Sequence, residues 1–218
     1  MVYDCTRPAD RERGVAAAVE TVQRADPVVF PTEAIYGIAA DAFSADAVAA
    51  LRRAKGGSNQ DLPVLIGSKH TLDGLVWSVP PAGRDLVDAF WPGPLSLIVE
   101  HAPSLALGLG DTGGKIMVRM PLHPIALEVL RTTGPLAVTG ANASGQPAPR
   151  TVEEAREQLG YAVPVYLDGG RCVIEERSSI VDLTGDRPIL LREGAISMDR
   201  LREVAPEVGD PSDATPAG

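Results

Sequence analysis

Residues 28–37 read VVFPTEAIYG. The apolar run from Val28 to Phe30 predicts a short buried strand, and Pro31 marks its end because proline cannot donate to a strand ladder. Thr32 and Glu33 therefore follow a strand end directly, beside a chain reversal. Because ligands of α/β sheets usually bind at strand ends, the stretch predicts an α/β fold with a binding site beside Thr32.

A second feature lies where the next helix pattern ends, at Lys55-Gly56-Gly57. Ser44 is the expected N-cap of that helix, and Gly56 is its expected stop. The glycines can open a loop over a phosphate, to which Lys55 would bring a positive charge. The alternative is a solvated lysine that complements the negative end of the helix dipole.

Composition indicates one ordinary globular domain. The chain has 218 residues, 44% of them hydrophobic, and a formal net charge of −9. That charge argues against bulk electrostatic binding of nucleic acid, so any contact with RNA would be local and weak. Cys5 and Cys172 have neither ligand spacing nor a disulfide pattern, which fits a reducing cytoplasm. No apolar run is long enough for a membrane span, so no membrane association is expected.

Predicted strands and helices alternate along the chain. Helices are expected at about 10–23, 44–55, 85–90, 124–131 and 151–159 and from residue 197; strands at 28–30, 64–66, 95–99, 116–120, 136–139, 163–167, 179–183 and 189–191. This order favours a single α/β domain with a twisted mixed sheet, over residues 1–205. The polar tail at 206–218 contains proline and glycine, and we expect it to be disordered.

Several polar residues stand at the ends of these elements, beside glycine or proline. Arg119 lies in an apolar strand, where a buried charge would need an anion or a carboxylate; the alternative is the solvent face of an edge strand. Asn142 follows a buried strand, Ser178 precedes one, and Arg192 ends another. Each of these, like Thr32, could instead be an ordinary turn residue.

The usual catalytic devices are missing from the sequence. Its three histidines, His70, His101 and His123, lack the spacing of metal ligands, so no protein metal site is predicted. Neither a Walker-type loop nor a G-x-S-x-G elbow occurs.

Eight segments of the chain resemble the YrdC-like family and follow that family's order. They read PTEAIYG, KG, FWPGPLSL, VRMP, ANASG, LDGG, SSIVDL and LREGAI, at residues 31–37, 55–56, 90–97, 118–121, 141–145, 167–170, 178–183 and 191–196. Together they span nearly the whole predicted domain.

The resemblance implies a threonylcarbamoyl-AMP synthase, a single domain whose mixed sheet and helices surround a concave ligand cavity. Such enzymes join L-threonine, bicarbonate and ATP, with Mg²⁺ expected, and release pyrophosphate. Their product serves the downstream tRNA threonylcarbamoyl transferase machinery. By the same resemblance, threonine would be held by Thr32, Arg119 and Ser178, and ATP by Lys55, Asn142 and Arg192.

The sequence departs from the family pattern at four positions. Gly57 stands where the family has arginine, Gly140 where it has serine, Lys115 where it has threonine, and Gly67 where it often has histidine. Lys115 is the candidate compensating contact, should its side chain point inward. Two alternatives therefore stay open: a paralogue that handles another carbamoyl-adenylate, and a catalytically impaired module that binds a nucleotide or RNA.

Overall fold

The computed structural model describes residues 1–57 and 61–213. Within them lie ten strands and seven α-helices. The strands are β1 (Val2–Asp4), β2 (Val28–Pro31), β3 (Tyr36–Asp41), β4 (Val64–Leu65), β5 (Leu95–Glu100), β6 (Lys115–Arg119), β7 (Leu136–Gly140), β8 (Val165–Asp168), β9 (Ser179–Asp182) and β10 (Ile189–Arg192). The helices are α1 (Pro8–Gln23), α2 (Ala45–Ala54), α3 (Lys69–Leu75), α4 (Pro81–Phe90), α5 (Pro124–Thr133), α6 (Val152–Leu159) and α7 (Met198–Val204).

All ten strands form one mixed sheet, in the order β1-β8-β2-β3-β7-β4-β6-β5-β9-β10. The pairs β1/β8, β2/β8, β4/β6 and β5/β9 are parallel, and the other neighbours are antiparallel. The expected α/β fold with a twisted mixed sheet is confirmed. Because neighbours in the sheet are far apart in sequence, the order brings distant loops to common edges.

The core lies on both faces of the sheet. On one face, α1 and α5 pack together, and Val15, Ala18 and Val22 of α1 are buried there. A larger cluster, which includes side chains of α2, α4 and α6, fills much of the rest. Burial of this kind stabilises a fold by about 25 cal/mol for each Å² of apolar surface removed from water.

Strand β6 separates core residues from cavity residues. Its alternate residues Ile116 and Val118 are buried, whereas Met117 and Arg119 line a cavity on the other side. Successive side chains of a strand point to opposite faces, so the pleat itself places Arg119 toward the cavity.

Helix α2 has the predicted boundaries. The Ser44 side chain accepts a hydrogen bond from the Ala47 amide at 3.2 Å, which caps the first turn. At the other end, the Gly57 amide donates to Arg52 O at 2.8 Å and the Gly56 amide to Arg53 O at 3.0 Å. This pair of bonds is a Schellman motif, and Gly56 adopts the positive φ of 84° that the motif requires.

The structure corrects the prediction for the tail. Residues 206–213 are ordered against β10: Val208 is buried, and Gly209 exchanges backbone hydrogen bonds with Pro188 and Leu190. The mostly polar composition predicted disorder, but one apolar side chain, Val208, is buried and holds the segment against the fold. The remainder of the predicted tail, 214–218, lies outside the described residues. In the part of the chain that the structure covers, no helix is long and apolar enough to cross a membrane.

Candidate functional site

A cavity of about 260 Å³ lies on the sheet face toward which Arg119 points. Its walls come from seven strands and from the turn at residues 32–35. Four hydroxyl groups and two guanidinium groups supply the polar lining: Thr32, Ser96, Thr139, Ser178, Arg119 and Arg192. A cavity of this size and polarity fits a small anionic or zwitterionic molecule.

Arg119 forms an ion pair with Glu33 inside the protein. Guanidinium nitrogen Nη2 meets Glu33 Oε1, and only 13% of the Arg119 side chain and 4% of the Glu33 side chain are exposed. Nε of Arg119 also donates to Gly93 O at 3.0 Å. Burial, and secondarily the nearby Arg192, lower the pKa of Arg119 to about 10, so it stays charged at neutral pH. The buried charge of Arg119 is therefore paired with a carboxylate, as expected from the cost of an unpaired buried charge.

Arg192 is held by the loop before β9. Its Nη2 donates to Ser178 O at 2.9 Å and to Ser178 Oγ at 3.3 Å, and Nε donates to the same carbonyl at 3.1 Å. The Ser178 hydroxyl also contacts the Ser96 hydroxyl at 3.1 Å. Burial lowers the pKa of Arg192, with a smaller effect from Arg177. Two guanidinium groups consequently share one cavity, and no carboxylate of the described chain is among its lining residues.

Thr32 closes the turn between β2 and β3. Its hydroxyl donates to Ile35 O at 2.7 Å and accepts from the Ile35 amide at 3.3 Å. The turn role foreseen as the alternative for Thr32 is therefore present, and the same residue lines the cavity. Its β-hydroxyl can serve both purposes because a hydroxyl oxygen has two lone pairs.

Lys55 and Asn142 lie together behind this cavity and are not among its lining residues. The Lys55 ammonium donates to Gly140 O at 2.6 Å and to Asn142 O at 2.7 Å, and burial lowers its pKa. Lys55 is only 6% exposed. It therefore fastens the loop after β7 to the end of α2. A Cβ atom on Gly140 would lie 2.5 Å from Asn142 Oδ1, so a serine there would displace the carboxamide.

A larger cavity of about 520 Å³ adjoins the first, and the two share Pro63 and Met117 as walls. The larger one is lined in part by Lys115, an exposed residue whose ammonium donates to Thr184 Oγ1 at 2.8 Å. Arg52 lines it too: Nη2 donates to Leu109 O at 2.9 Å, while the buried Nε has no partner in the described chain. Asp61, Asp111 and Asp182 line the same cavity, so two cationic and three acidic side chains face it. The space is large enough for a nucleotide.

Four predicted site residues line the smaller cavity together: Thr32, Arg119, Ser178 and Arg192. Lys115 lines the larger cavity, whereas Lys55 and Asn142 line neither. Sequence reasoning missed the pairing of Glu33 with Arg119 and overlooked Ser96 and Thr139. Ser96 had a signal, since it is the one polar side chain within the apolar run of β5. In residues 1–57 and 61–213, no three metal-binding side chains come close enough to form an ion site.

Comparison with known proteins agrees with this geometry. The sequence profile of the Sua5/YciO/YrdC family, described as telomere recombination, matches residues 20–194. A relative from Mycobacterium tuberculosis, named putative threonylcarbamoyl-AMP synthase, is 52% identical over 93% of this chain and 94% of its own length. The threonylcarbamoyl-AMP synthase of Bacillus subtilis is 36% identical over 87% of this chain and 56% of its own length.

Among solved structures, Pyrococcus abyssi Sua5 complexed with L-threonine superimposes with a TM-score of 0.82 at 31% identity. The match covers 90% of this chain and 58% of that one, so this chain spans less than two thirds of the P. abyssi protein. Sequence profile, close relatives and structure all point the same way: the chain belongs to the Sua5/YciO/YrdC family.

Proposed function

We propose that this protein is an L-threonylcarbamoyladenylate synthase, which forms threonylcarbamoyl-AMP and pyrophosphate from L-threonine, bicarbonate and ATP. The observation that carries the proposal is the small cavity, where two guanidinium groups and four hydroxyl groups meet. Support comes from the M. tuberculosis relative of that name, which matches this chain over almost the full length of both proteins.

The threonine end would lie at Arg119. With Nε bound to Gly93 O and Nη2 to Glu33, the guanidinium would direct its remaining donors at the substrate carboxylate. Ser178 and Thr32 would contact the amine, its carbamate or the β-hydroxyl. The complex of P. abyssi Sua5 with L-threonine supports threonine as the ligand.

The ATP end would lie in the larger cavity. Arg192, which lines the smaller cavity, would contact the nucleotide from there. Lys115 and Arg52 would contact the phosphates, in the role that the family gives to the arginine absent at Gly57. Lys55 and Asn142 would act through the end of β7 and the loop after it, because Gly140 at that strand end lines the smaller cavity. Mg²⁺ would arrive with ATP, bound chiefly by its phosphates, as is usual for this ion.

The chemistry would need no protein nucleophile. The threonine amine would capture carbon dioxide or bicarbonate as a carbamate, and a carbamate oxygen would attack the α-phosphorus as pyrophosphate leaves. The protein would contribute position and charge: Arg119 and Arg192 would align the carbamate, and the cations of the larger cavity would stabilise the leaving group.

The adenylate would then pass to the tRNA threonylcarbamoyl transferase machinery. A net charge of −9 disfavours tight tRNA binding by this protein itself, so that transfer would fall to partner proteins. We place the activity in the cytoplasm, a compartment compatible with the two buried free thiols of Cys5 and Cys172.

A substrate panel tests the proposal. Pyrophosphate release is measured with MgATP and bicarbonate, with and without L-threonine, and again with carbamoyl phosphate in place of threonine and bicarbonate. We expect release that requires both threonine and bicarbonate. Release with carbamoyl phosphate would favour the carbamoyl-adenylate paralogue, and ATP binding without any release would favour the impaired module; either result overturns the proposal.

A further inference from the structure

Glu33 has no role in the reaction as proposed so far, yet it is one of the most deeply buried carboxylates of the described chain. Glu33 is 6% exposed and lies in the turn that joins β2 to β3. A buried carboxylate costs free energy unless it is paired, and replacing such a pair by apolar residues is often neutral for stability. Stability alone is therefore a weak reason for placing Glu33 here.

We propose that Glu33 is a positioning residue, which fixes the Arg119 guanidinium so that one edge alone is presented to the carboxylate of the bound amino acid. This inference rests on the proposed function, because it assigns Glu33 to the threonine end of that same site. Glu33 would act entirely through Arg119 and would not touch the substrate.

Glu33 is held at its side chain and at its backbone. Oε2 accepts a hydrogen bond from the Leu122 amide at 3.2 Å, and Glu33 O accepts one from the Ile174 amide at 3.3 Å. Thr32, the preceding residue, closes the turn through its hydroxyl. Oε1 is consequently fixed in space before Arg119 meets it.

Arg119 is then fixed by two contacts on adjacent edges of its guanidinium. Nε of Arg119 donates to Gly93 O, Nη2 pairs with Glu33 Oε1, and Nη1 donates to no acceptor in the described chain. Because the guanidinium is planar, fixing these two nitrogens fixes the direction of the third. A ligand carboxylate would find its donor already oriented, so binding would lose less side-chain entropy.

The charge count supports the same role. The charged lining of the small cavity consists of Arg119 and Arg192, and Glu33 behind Arg119 cancels one of the two charges. The net single positive charge matches a carboxylate. If Glu33 served only to balance charge, its neutralisation would strengthen carboxylate binding; if it positions Arg119, neutralisation would weaken it. The two roles predict opposite signs.

The test compares ligands with and without a carboxylate. Binding of L-threonine and of L-threoninamide to the full chain is measured by calorimetry for the unchanged protein, Glu33→Gln and Glu33→Asp. Glu175→Gln is the matched control. Glu175 also pairs with an arginine, Arg150, but this ion pair is far more exposed than the pair of Glu33 with Arg119. Thermal unfolding of every variant shows whether it is folded under the binding conditions.

We expect Glu33→Gln to raise the Kd of L-threonine about tenfold or more while the Kd of L-threoninamide changes less than about twofold. Glu33→Asp keeps the charge and should recover part of the loss, and Glu175→Gln should bind as the unchanged protein does. Equal weakening of both ligands, or tighter threonine binding by Glu33→Gln, would overturn the role of Glu33 alone. Failure of the unchanged protein to bind threonine would overturn the proposed function, and this role with it.

Discussion

At the scale of single residues, Arg119 shows what a sequence can and cannot specify. Its place in an apolar strand predicts that, once buried, it must meet an anion or a carboxylate. Glu33 is that carboxylate, although it is 86 residues earlier in the chain. The need for a partner is a local property, whereas the partner's identity depends on how β2 and β6 are placed in the sheet.

Lys55 illustrates the opposite case. A lysine before two glycines suggested either a phosphate contact or a solvated helix end, and neither describes its side chain, which is buried on two backbone carbonyls. These carbonyls lie at the end of β7 and just beyond it, and nothing near Lys55 in sequence indicates them. Burial of a lysine by distant backbone groups leaves no pattern in the surrounding residues.

Replacing Arg119 by lysine should be a severe change despite the retained charge. Lysine has neither the Nε donor for Gly93 O nor a second nitrogen that can reach the substrate while Glu33 is paired. We expect kcat/KM for L-threonine to fall about 100-fold, with a smaller effect on KM for ATP. Steady-state pyrophosphate release checks this, with exposed Arg53→Lys as control. Full activity of Arg119→Lys would show that Arg119 does not bind the carboxylate.

At the scale of elements, the well-marked helices are those with caps. Ser44, Thr151 and Ser197 each accept the expected amide hydrogen bond, so the starts of α2, α6 and α7 agree with the sequence. Strand β3 was not predicted, because its residues YGIAAD include glycine and two alanines that favour strands weakly. It is held by neighbours on both sides, β2 and β7, so pairing overrides local preference.

The end of α2 allows a matched test of the glycine stop. Gly56 has a φ of 84° in the Schellman motif, whereas exposed Gly74 lies within α3, and a Cβ atom would meet nothing within 4 Å at either position. Gly56→Ala should lower the free energy of unfolding by ~1 kcal/mol, because an L residue is strained at positive φ. Gly74→Ala should raise it by roughly 0.5 kcal/mol, because alanine favours the helix. Denaturant unfolding measures both. A loss of equal size at the two positions would contradict this account of the helix end.

The ordered part of the tail gives an element-scale prediction of its own. A chain ending at Ala205 loses Val208, which is 1% exposed, together with the hydrogen bonds of Gly209 and the bond from Arg202 Nε to Val208 O at 2.8 Å. We expect the free energy of unfolding to fall by about 3 kcal/mol, most of it from the buried valine. A chain ending at residue 213 keeps these contacts and is the control. Equal stability of the two truncated chains would show that the segment 206–213 contributes nothing.

At the scale of the whole molecule, the site is a product of strand order. The sheet places β6, β5, β9 and β10 side by side, so residues from 96 to 192 meet at one cavity. The sequence marks most of these residues as polar groups at strand ends. It does not mark which ends coincide, since parallel neighbours such as β5 and β9 are more than 80 residues apart.

Tertiary burial also sets the pH response of the molecule, through His123. This histidine precedes α5, faces Arg11 of α1 and lies against the loop after β8, where a Cβ on Gly169 would be 3.0 Å from its Cε1. Burial, and then the charge of Arg11, lower its pKa to about 4 from an ordinary value of 6.5. Its buried Nδ1 has no hydrogen-bond partner in the described chain, consistent with a neutral ring.

Below pH 6.5, His123 is protonated in the unfolded chain, whereas in the folded chain it is protonated only near its lowered pKa of about 4. Acid therefore favours the unfolded state, and His123 should cost about 2 kcal/mol of unfolding free energy as pH falls across that window. His123→Gln removes the titrating group, so its stability should decline less steeply than that of the unchanged protein. Urea unfolding at half-unit steps from pH 7 to 4 gives the two curves. Parallel curves would mean that His123 is protonated in the folded protein as readily as in the unfolded chain.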